Sequence, residues 1–416
     1  MNALELQVTV QLDGMDVPCG TLYTNVRRGQ QSASFVYDRS YILRKDAFEI
    51  SPDLPLGEAT VHTGGKPLFM TFEDCMPDQW GRNLMLRAER RAAREGKRTA
   101  RSLWEGDYLV GVSDVARQGA LRVWYKGVAL APDEVGVPRE TDLPKLLAQA
   151  DLAAMDMDAD VRDLLMAGSS LGGARPKASV VGEHGQLCIA KLPKADEGAM
   201  EDVCAWEHVT LVLARRCGIQ TPNARLIRLP KGQSERALLV LDRFDREGAR
   251  CIPYLSGMSA VQGVDGGSYS YLELVDFLEW NGASPTKDIR QLWLRLLFSC
   301  AIGNTDDHMR NHGFLRSDAG WNLAPAFDVN PTEGDGEKYL SCAADFDERL
   351  AVPQTAIDVC EEFRTRRVDA VLAAKNMARE LAAWRRVAIA DGISRGSISR
   401  MESCFVAAVE RLGACR

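Results

Sequence analysis

Residues 301–315 read AIGNTDDHMRNHGFL, and the spacing of Asp306 and Asn311 within them is D-x-x-x-x-N. Phosphoryl transfer to a hydroxyl needs a carboxylate beside that hydroxyl. It also needs an oxygen ligand for the metal that bridges the nucleotide phosphates. A short loop carrying Asp and, five positions on, Asn supplies both from one backbone. A second acidic metal ligand is expected within a strand or two. Asp328, in LAPAFDVNPT, is placed for it: HGFL predicts a strand, Ser317 to Gly320 a turn, and Trp321 to Leu323 the returning strand of a hairpin.

Upstream, the chain offers the remaining parts such chemistry requires. Lys191 stands in the apolar run LCIAKL, where an ammonium needs a partner because an unpaired buried charge is costly. Glu207, on the helix pattern Ala205 to Cys217, is the natural one, and strand lysine with helix glutamate is a recurring kinase arrangement. The Gly/Ser-rich segment GSSLGGARPK, 168–177, precedes Lys191 as a phosphate-covering loop should, and Gly172 and Gly173 let backbone N–H groups approach anionic oxygen closely. The run ending LVLDRFD would lie along the adenine.

Each part alone also has a plain structural reading. D-x-x-x-x-N occurs by chance. Lys191 could snorkel from a strand edge, Asp328 could be a turn residue, and Asp306 or Asp307 a helix cap. His308 alone reads as a structural hydrogen-bonding residue, and Ser169 and Ser170 as loop residues. The order of the parts outweighs these readings: Gly/Ser loop, strand lysine, helix glutamate, connector, D-x-x-x-x-N, aspartate. The reading requires the side chains of Lys191, Asp306, Asn311 and Asp328 to converge on one nucleotide–metal cluster.

Composition is that of an ordinary globular protein. The 416 residues are 46% apolar and 26% charged, with 51 Lys+Arg against 58 Asp+Glu for a net charge of −7. Disorder over most of the chain is excluded, and the length predicts two or three domains or lobes. The most apolar helical stretch, Leu292 to Ile302, is short and interrupted by Arg295, so no membrane span is expected. The beginning MNALELQVTV lacks the features of a signal peptide, which points to the cytoplasm. Eleven cysteines without a CxxC pair and five histidines argue against a structural zinc site and disulfides, and read as small buried hydrophobes.

Along the chain, Leu4, Leu6, Val8, Val10 and Leu12 alternate as one face of a strand, with a turn at Asp13-Gly14 and a second strand over Ser32 to Tyr37. From Gly81 to Arg101 a helical pattern carries Arg82, Arg87, Arg90, Arg91, Arg94, Lys97, Arg98 and Arg101 against Glu89 and Glu95. It reads as a solvated helix face or as a contact to a phosphate backbone. Strands are expected at 178–181, 187–192 and 237–244. Helices are expected over Ala205 to Cys217, from Pro285 through Ala301, and at 355–380, 382–390 and 396–413. The expected organisation is a β-rich module over 1–130, a mixed lobe over 131–250 and a helical lobe over 251–416.

The chain resembles the HipA family of toxin serine/threonine kinases in DYLVGVSDVARQGALRV (107–123), SLGGARPKA (170–178), CIAKLP (188–193), LDRFDR (241–246), GNTDDHMRN (303–311) and LAPAFDV (323–329). The resemblance implies an α+β, bilobal protein-kinase-like fold with an N-terminal β-rich subdomain and an all-α C-terminal lobe. It implies that Asp306 is the catalytic aspartate, that Asn311 and Asp328 are the magnesium ligands, and that Lys191 binds the ATP phosphates with Glu207 where its helix partner is expected. Asp242 and Phe244 fall in the adenine connector, and Ser170, Gly172, Gly173, Ala174 and His308 join the nucleotide-binding set. Ser170 aligns with the loop serine that family members phosphorylate on themselves, with Ser169 as its neighbour. That phosphate would add roughly two negative charges beside a site built for ATP phosphates, and so inactivate the enzyme. HRD and DFG signatures are absent, Asp242 stands where the family often has Glu, and Asp307 where Gly is common.

The family further implies a HipB-like helix-turn-helix antitoxin as partner, DNA contact only through that antitoxin, and a translation enzyme such as an aminoacyl-tRNA synthetase as substrate. Two other readings use the same residues. One is a small-molecule phosphotransferase, a class in which the N-terminal β module is not expected. The other is a non-catalytic co-repressor, against which the complete set of Lys191, Asp306, Asn311 and Asp328 argues.

Overall fold

The structure, a computed structural model, describes residues 3–129, 136–155, 164, 175–229 and 236–416. It divides into two compact units: residues 1–195 with 245–255, and residues 196–244 with 256–416.

The first unit is built on a six-stranded sheet whose strand pairs run antiparallel. The strands are β1 (Ala3–Leu12), β2 (Met15–Arg27), β3 (Gln30–Tyr37), β4 (Val61–His62), β5 (Leu121–Tyr125) and β6 (Val128–Ala129), in the order β4-β3-β2-β1-β5-β6. The alternation of the first strand does what the pattern predicts: Leu4, Leu6, Val8 and Val10 are buried while Glu5 and Gln7 face solvent. The sequence reading missed β2. Pro18 and Gly20 break its pattern, and the register shift opposite Val8 and Thr9 accommodates them as a bulge. Gly20 is required there because a Cβ would collide with the Phe35 ring and the Val36 carbonyl. Aromatic side chains fill the buried face: Phe35 meets Tyr37 edge-on at 5.0 Å, and Tyr37 stacks on Tyr41.

The stretch 245–255 returns to this unit. Asp245 Oδ2 accepts the Gly119 N–H at 2.8 Å, and Arg246 donates to the Gly119 carbonyl at 3.0 Å. The second half of LDRFDR therefore grips the ARQG turn of the N-terminal module. The same unit carries a hairpin of β7 (Lys177–Val181) and β8 (Leu187–Lys191). Its basic helix is Gln79–Arg94, shorter than the sequence pattern. The helix stops because Gly96, at φ +69°, closes a Schellman turn in which Lys97 N–H reaches the Ala92 carbonyl.

The second unit is mainly helical, with helices Val203–Arg216, Tyr271–Asn281, Pro285–Ile302, Pro353–Asp358, Arg367–Leu381, Trp384–Ala390 and Arg395–Ala414. It also carries hairpins of β9 (Ala224–Arg228) with β10 (Ala237–Asp242), and of β11 (Gly313–Ser317) with β12 (Gly320–Leu323). The β11–β12 hairpin is the one expected from HGFL and its turn. The expected helix over 355–380 is two helices. Arg364 takes φ +55° and the Thr365 N–H turns back to the Cys360 carbonyl, while Phe363 is driven into the core. Trp206, Trp384 and Phe405 stack in that core, Phe405 at 5.7 Å from Trp206 and 4.9 Å from Trp384, and Trp206 Nε1 donates to Ser397 Oγ. Nine of the eleven cysteines are buried, as their scatter suggested. Among the described residues, no helix is long and apolar enough to cross a membrane.

Replacing Phe405 by Ala should cost about 3–5 kcal/mol of unfolding free energy. The exposed neighbour Val406→Ala should change it by less than about 0.5 kcal/mol. Urea unfolding of both variants checks the contrast.

Candidate active site

Helix Pro285–Ile302 ends at Gly303, whose φ of +63° releases the chain sharply into the Asn304–His312 segment. There the backbone folds into a tight turn. His308 N–H bonds to the Asp306 carbonyl at 2.9 Å, and Asn311 N–H to the His308 carbonyl at 2.8 Å. The side chain of Asn311 then closes the loop, its Nδ2 donating to the Asp306 carbonyl at 2.7 Å. This bond uses the amide nitrogen of Asn311 and leaves Oδ1 as its accepting atom. The Asp306 carboxylate projects into solvent, with 83% of the side chain exposed and His308 Nε2 3.9 Å away. A carboxylate so exposed is open to a group arriving from solution.

Asp307 points the other way. It is buried, receives hydroxyl hydrogen bonds from Tyr271 and from Ser299 (2.9 Å), and lies 3.1 Å from Nε2 of the equally buried His312. Burial works to raise its pKa, but His312 and the two hydroxyls outweigh it and hold the carboxyl below its ordinary range. Asp307 is thus neither a helix cap nor a solvent carboxylate.

The segment carrying Asp328 is fastened at several points. Ala324 N–H bonds to the Gly313 carbonyl, Arg295 donates to the Ala324 carbonyl, and Ala326 N–H bonds to the Gln220 carbonyl. Thr210 donates its hydroxyl to the Val329 carbonyl at 2.5 Å. Thr210 lies one turn beyond Glu207, so the helix bearing Glu207 is tied to the backbone next to Asp328. Asp328 itself has φ +55°, a conformation that Asp tolerates better than most residues. A cavity of about 20 Å³ is lined by Asn311 from one segment and by Phe327 and Val329 from the other, which places the two loops side by side.

Among the described residues, no group of three His, Cys, Asp or Glu could hold a metal. Asp306 and Asn311 share one turn, and the Phe327–Val329 backbone lies beside it. Amide and carboxylate oxygens are the donors that suit a hard cation such as Mg²⁺, which takes one or two protein carboxylates and completes its shell with phosphate and water.

Asp242 and Phe244 follow on the β10 side. Asp242 accepts from Asn223 Nδ2 at 3.1 Å, and the Phe244 ring packs at 5.6 Å from that of Phe327, next to Asp328. Glu207 is buried within its helix. The second unit therefore brings Asp306, His308 and Asn311 into one turn and sets the Phe327–Val329 backbone beside it. Lys191 belongs to the first unit, buried at the end of β8, where its register partner on β7 is the equally buried Lys177. The sequence reading passed over Lys177, because a hairpin register is set between strands and no local pattern announces it. Ser169, Ser170, Gly172, Gly173 and Ala174 lie outside the described residues.

The basic run is largely matched by carboxylates. Arg82 pairs with Glu105, Arg91 and Lys97 with Glu95, Arg98 with Glu89, and Arg101 with both Glu89 and Asp107. Glu105 and Asp107 follow the run in sequence and fold back onto it, which favours the structural reading over a nucleic-acid contact.

The fold is α+β and kinase-like. Over 99% of this chain and 97% of the other it superposes, with a TM-score of 0.71 at 15% identity, on the HipA chain of a Shewanella oneidensis toxin–antitoxin complex of HipA, HipB and operator DNA. The model of the HipA-like C-terminal domain matches residues 169–388 and that of the HipA N-terminal domain residues 10–105, so the chain belongs to the HipA family. Curated relatives include "Putative kinase Y4dM" of Sinorhizobium fredii, 28% identical over 42% of this chain and 50% of that protein. Another is a "Putative kinase" of Haemophilus influenzae, 23% identical over 39% of this chain and 52% of that protein. The chain spans about half the length of these relatives.

Thr210→Val keeps the shape of the side chain but removes the donor to the Val329 carbonyl. It should lower stability by about 1–3 kcal/mol, since that acceptor is buried. Denaturant unfolding beside Thr210→Ser, which keeps the hydroxyl, checks it.

Proposed function

We propose that this chain is an ATP- and Mg²⁺-dependent serine/threonine protein kinase, the toxin of a toxin–antitoxin pair. The observation that carries the reading is the Asn311 Nδ2 bond to the Asp306 carbonyl. It presents an exposed carboxylate and an amide oxygen from the same turn, with the Asp328 loop alongside. Magnesium ATP supplies the electrophilic phosphoryl group when bound. Asp306 accepts the proton of the substrate hydroxyl at its exposed carboxylate. Asn311, through Oδ1, and Asp328 hold the cation, and Lys191 neutralises phosphate charge. Asp242 and Phe244 flank the adenine, and His308 stands beside Asp306.

The finer parts of the proposal follow the family. The substrate is a translation component such as an aminoacyl-tRNA synthetase. Ser170, or its neighbour Ser169, takes a self-inflicted phosphate that switches the enzyme off. A HipB-type antitoxin is the partner and carries the DNA contact in operon autoregulation. The N-terminal HipA domain match over residues 10–105 supports this reading over a small-molecule phosphotransferase.

Incubation with labelled ATP, Mg²⁺ and a cell lysate, followed by mass spectrometry, tests it. Label is expected on a serine of the 168–177 segment and on at least one cellular protein. Asp306→Asn should lower the rate by about 10²–10⁴-fold without loss of fold. Undiminished labelling by that variant, or transfer only to small hydroxyl compounds, sinks the reading. Operator affinity of the complex with antitoxin should be unchanged by Asp328→Ala if repression is independent of chemistry.

A further inference from the structure

A five-residue spacing occurs twice in register: Asp306, exposed, with Asn311, and one residue later Asp307 with His312, both buried. The outer pair is joined by the Asn311 side chain and the Asp306 carbonyl at 2.7 Å, the inner pair by Asp307 Oδ1 and His312 Nε2 at 3.1 Å. We propose that the buried Asp307–His312 pair is a positioning device, which sets the separation and direction of Asp306 and Asn311 by clamping both ends of the loop that carries them. The proposal rests on the kinase reading of Asp306 and Asn311 and adds residues to it.

Three features make the pair a clamp and not a general packing contact. First, it is anchored to separate elements. The Tyr271 hydroxyl comes from helix Tyr271–Asn281, the Ser299 hydroxyl from helix Pro285–Ile302, and the His312 carbonyl takes the Gly257 N–H at 2.7 Å. The His312 ring also meets the Tyr271 ring edge-on at 5.1 Å. Second, its burial is nearly complete: Asp307 is 5% and His312 2% exposed. A loop displaced from this seat would leave a buried carboxylate unpaired, so intermediate seatings are disfavoured. Third, the polar set extends to Arg295, also buried, which lines the same small cavity as Asp307, His312 and Asn311 and whose charge attracts Asp307. An apolar plug could fill this space, but it would fix neither direction nor register as a buried carboxylate does that is held by two hydroxyls and lies beside an imidazole.

The test compares Asp307→Asn, His312→Gln and the double variant with the full chain, at a temperature where circular dichroism shows all of them folded. Each is assayed for kcat and for KM of ATP in the labelling reaction. Amide hydrogen exchange is followed in the peptide spanning 304–313. The expected result is a fall of kcat by about 10²-fold with KM for ATP within about two-fold, because misplacement of reacting groups by about 1 Å has that effect. The double variant should be no worse than the poorer single one, because the two residues act as a unit. Exchange in 304–313 should rise by about ten-fold or more while the rest of the chain is unchanged. Folded variants with wild-type kcat, additive losses or unchanged exchange in 304–313 overturn the proposal. Should Asp307→Asn not fold, Tyr271→Phe and Ser299→Ala, each removing one hydroxyl from the carboxylate, carry the same readouts. If the unaltered chain transfers no phosphate, the kinase reading fails while the exchange measurement still decides whether the pair holds the loop.

Discussion

A polar stripe on a buried helix organises the second unit. Asp288, Arg295 and Ser299 fall seven and four residues apart on helix Pro285–Ile302, and so lie along one side of it. All three are buried, and each reaches a different part of the neighbouring chain. Asp288 takes the Leu323 N–H, Arg295 bonds to the Ala324 carbonyl, and Ser299 to Asp307. Losing such a bond in the interior is costly, because the buried partner is left unsatisfied. The returning strand of the hairpin and the Asn304–His312 segment are therefore held to one arrangement. The remaining sides of the helix, with Leu296, Leu297 and Phe298, supply apolar burial and no direction.

Asp306 and Asp307 show how environment divides the work of identical side chains. One carboxylate stands in water. The other sits among two hydroxyls, an imidazole and a guanidinium, where its charge is stabilised and its position fixed. Adjacent residues in a turn project in different directions, so a single peptide step separates an exposed carboxylate from a buried one. The same step separates Asn311 from His312. Direction, not composition, distinguishes Asp306 from Asp307.

That distinction marks what the sequence could reveal. Period-2 alternation identified β1 because one face of it is buried, and HGFL with its turn identified the β11–β12 hairpin because both strands and the turn are local. The D-x-x-x-x-N segment was legible for the same reason: its geometry is closed by a bond between residues five apart. Features that depend on distant partners were not legible. The Lys177–Lys191 pairing is a matter of register, the broken helix near Arg364 follows from the demand to bury Phe363, and the role of Asp307 depends on Tyr271, far off in sequence. Asp307 stands where Gly is common in the family, and no local pattern announces the surroundings that bury it. Strand β2 was hidden because Pro18 and Gly20 speak against a strand, and only the bulge opposite them makes room.

The carboxylates gathered around the Gln79–Arg101 run have a consequence for association in solution. A polyanion approaching a row of free guanidinium groups displaces its own condensed ions, and that release gives strong, ionic-strength-dependent attachment. Here Glu89, Glu95, Glu105 and Asp107 already occupy much of the cationic surface. Electrostatic capture of RNA or DNA by this helix is correspondingly weaker than its eight cationic side chains would give unopposed, since the four carboxylates offset half of them.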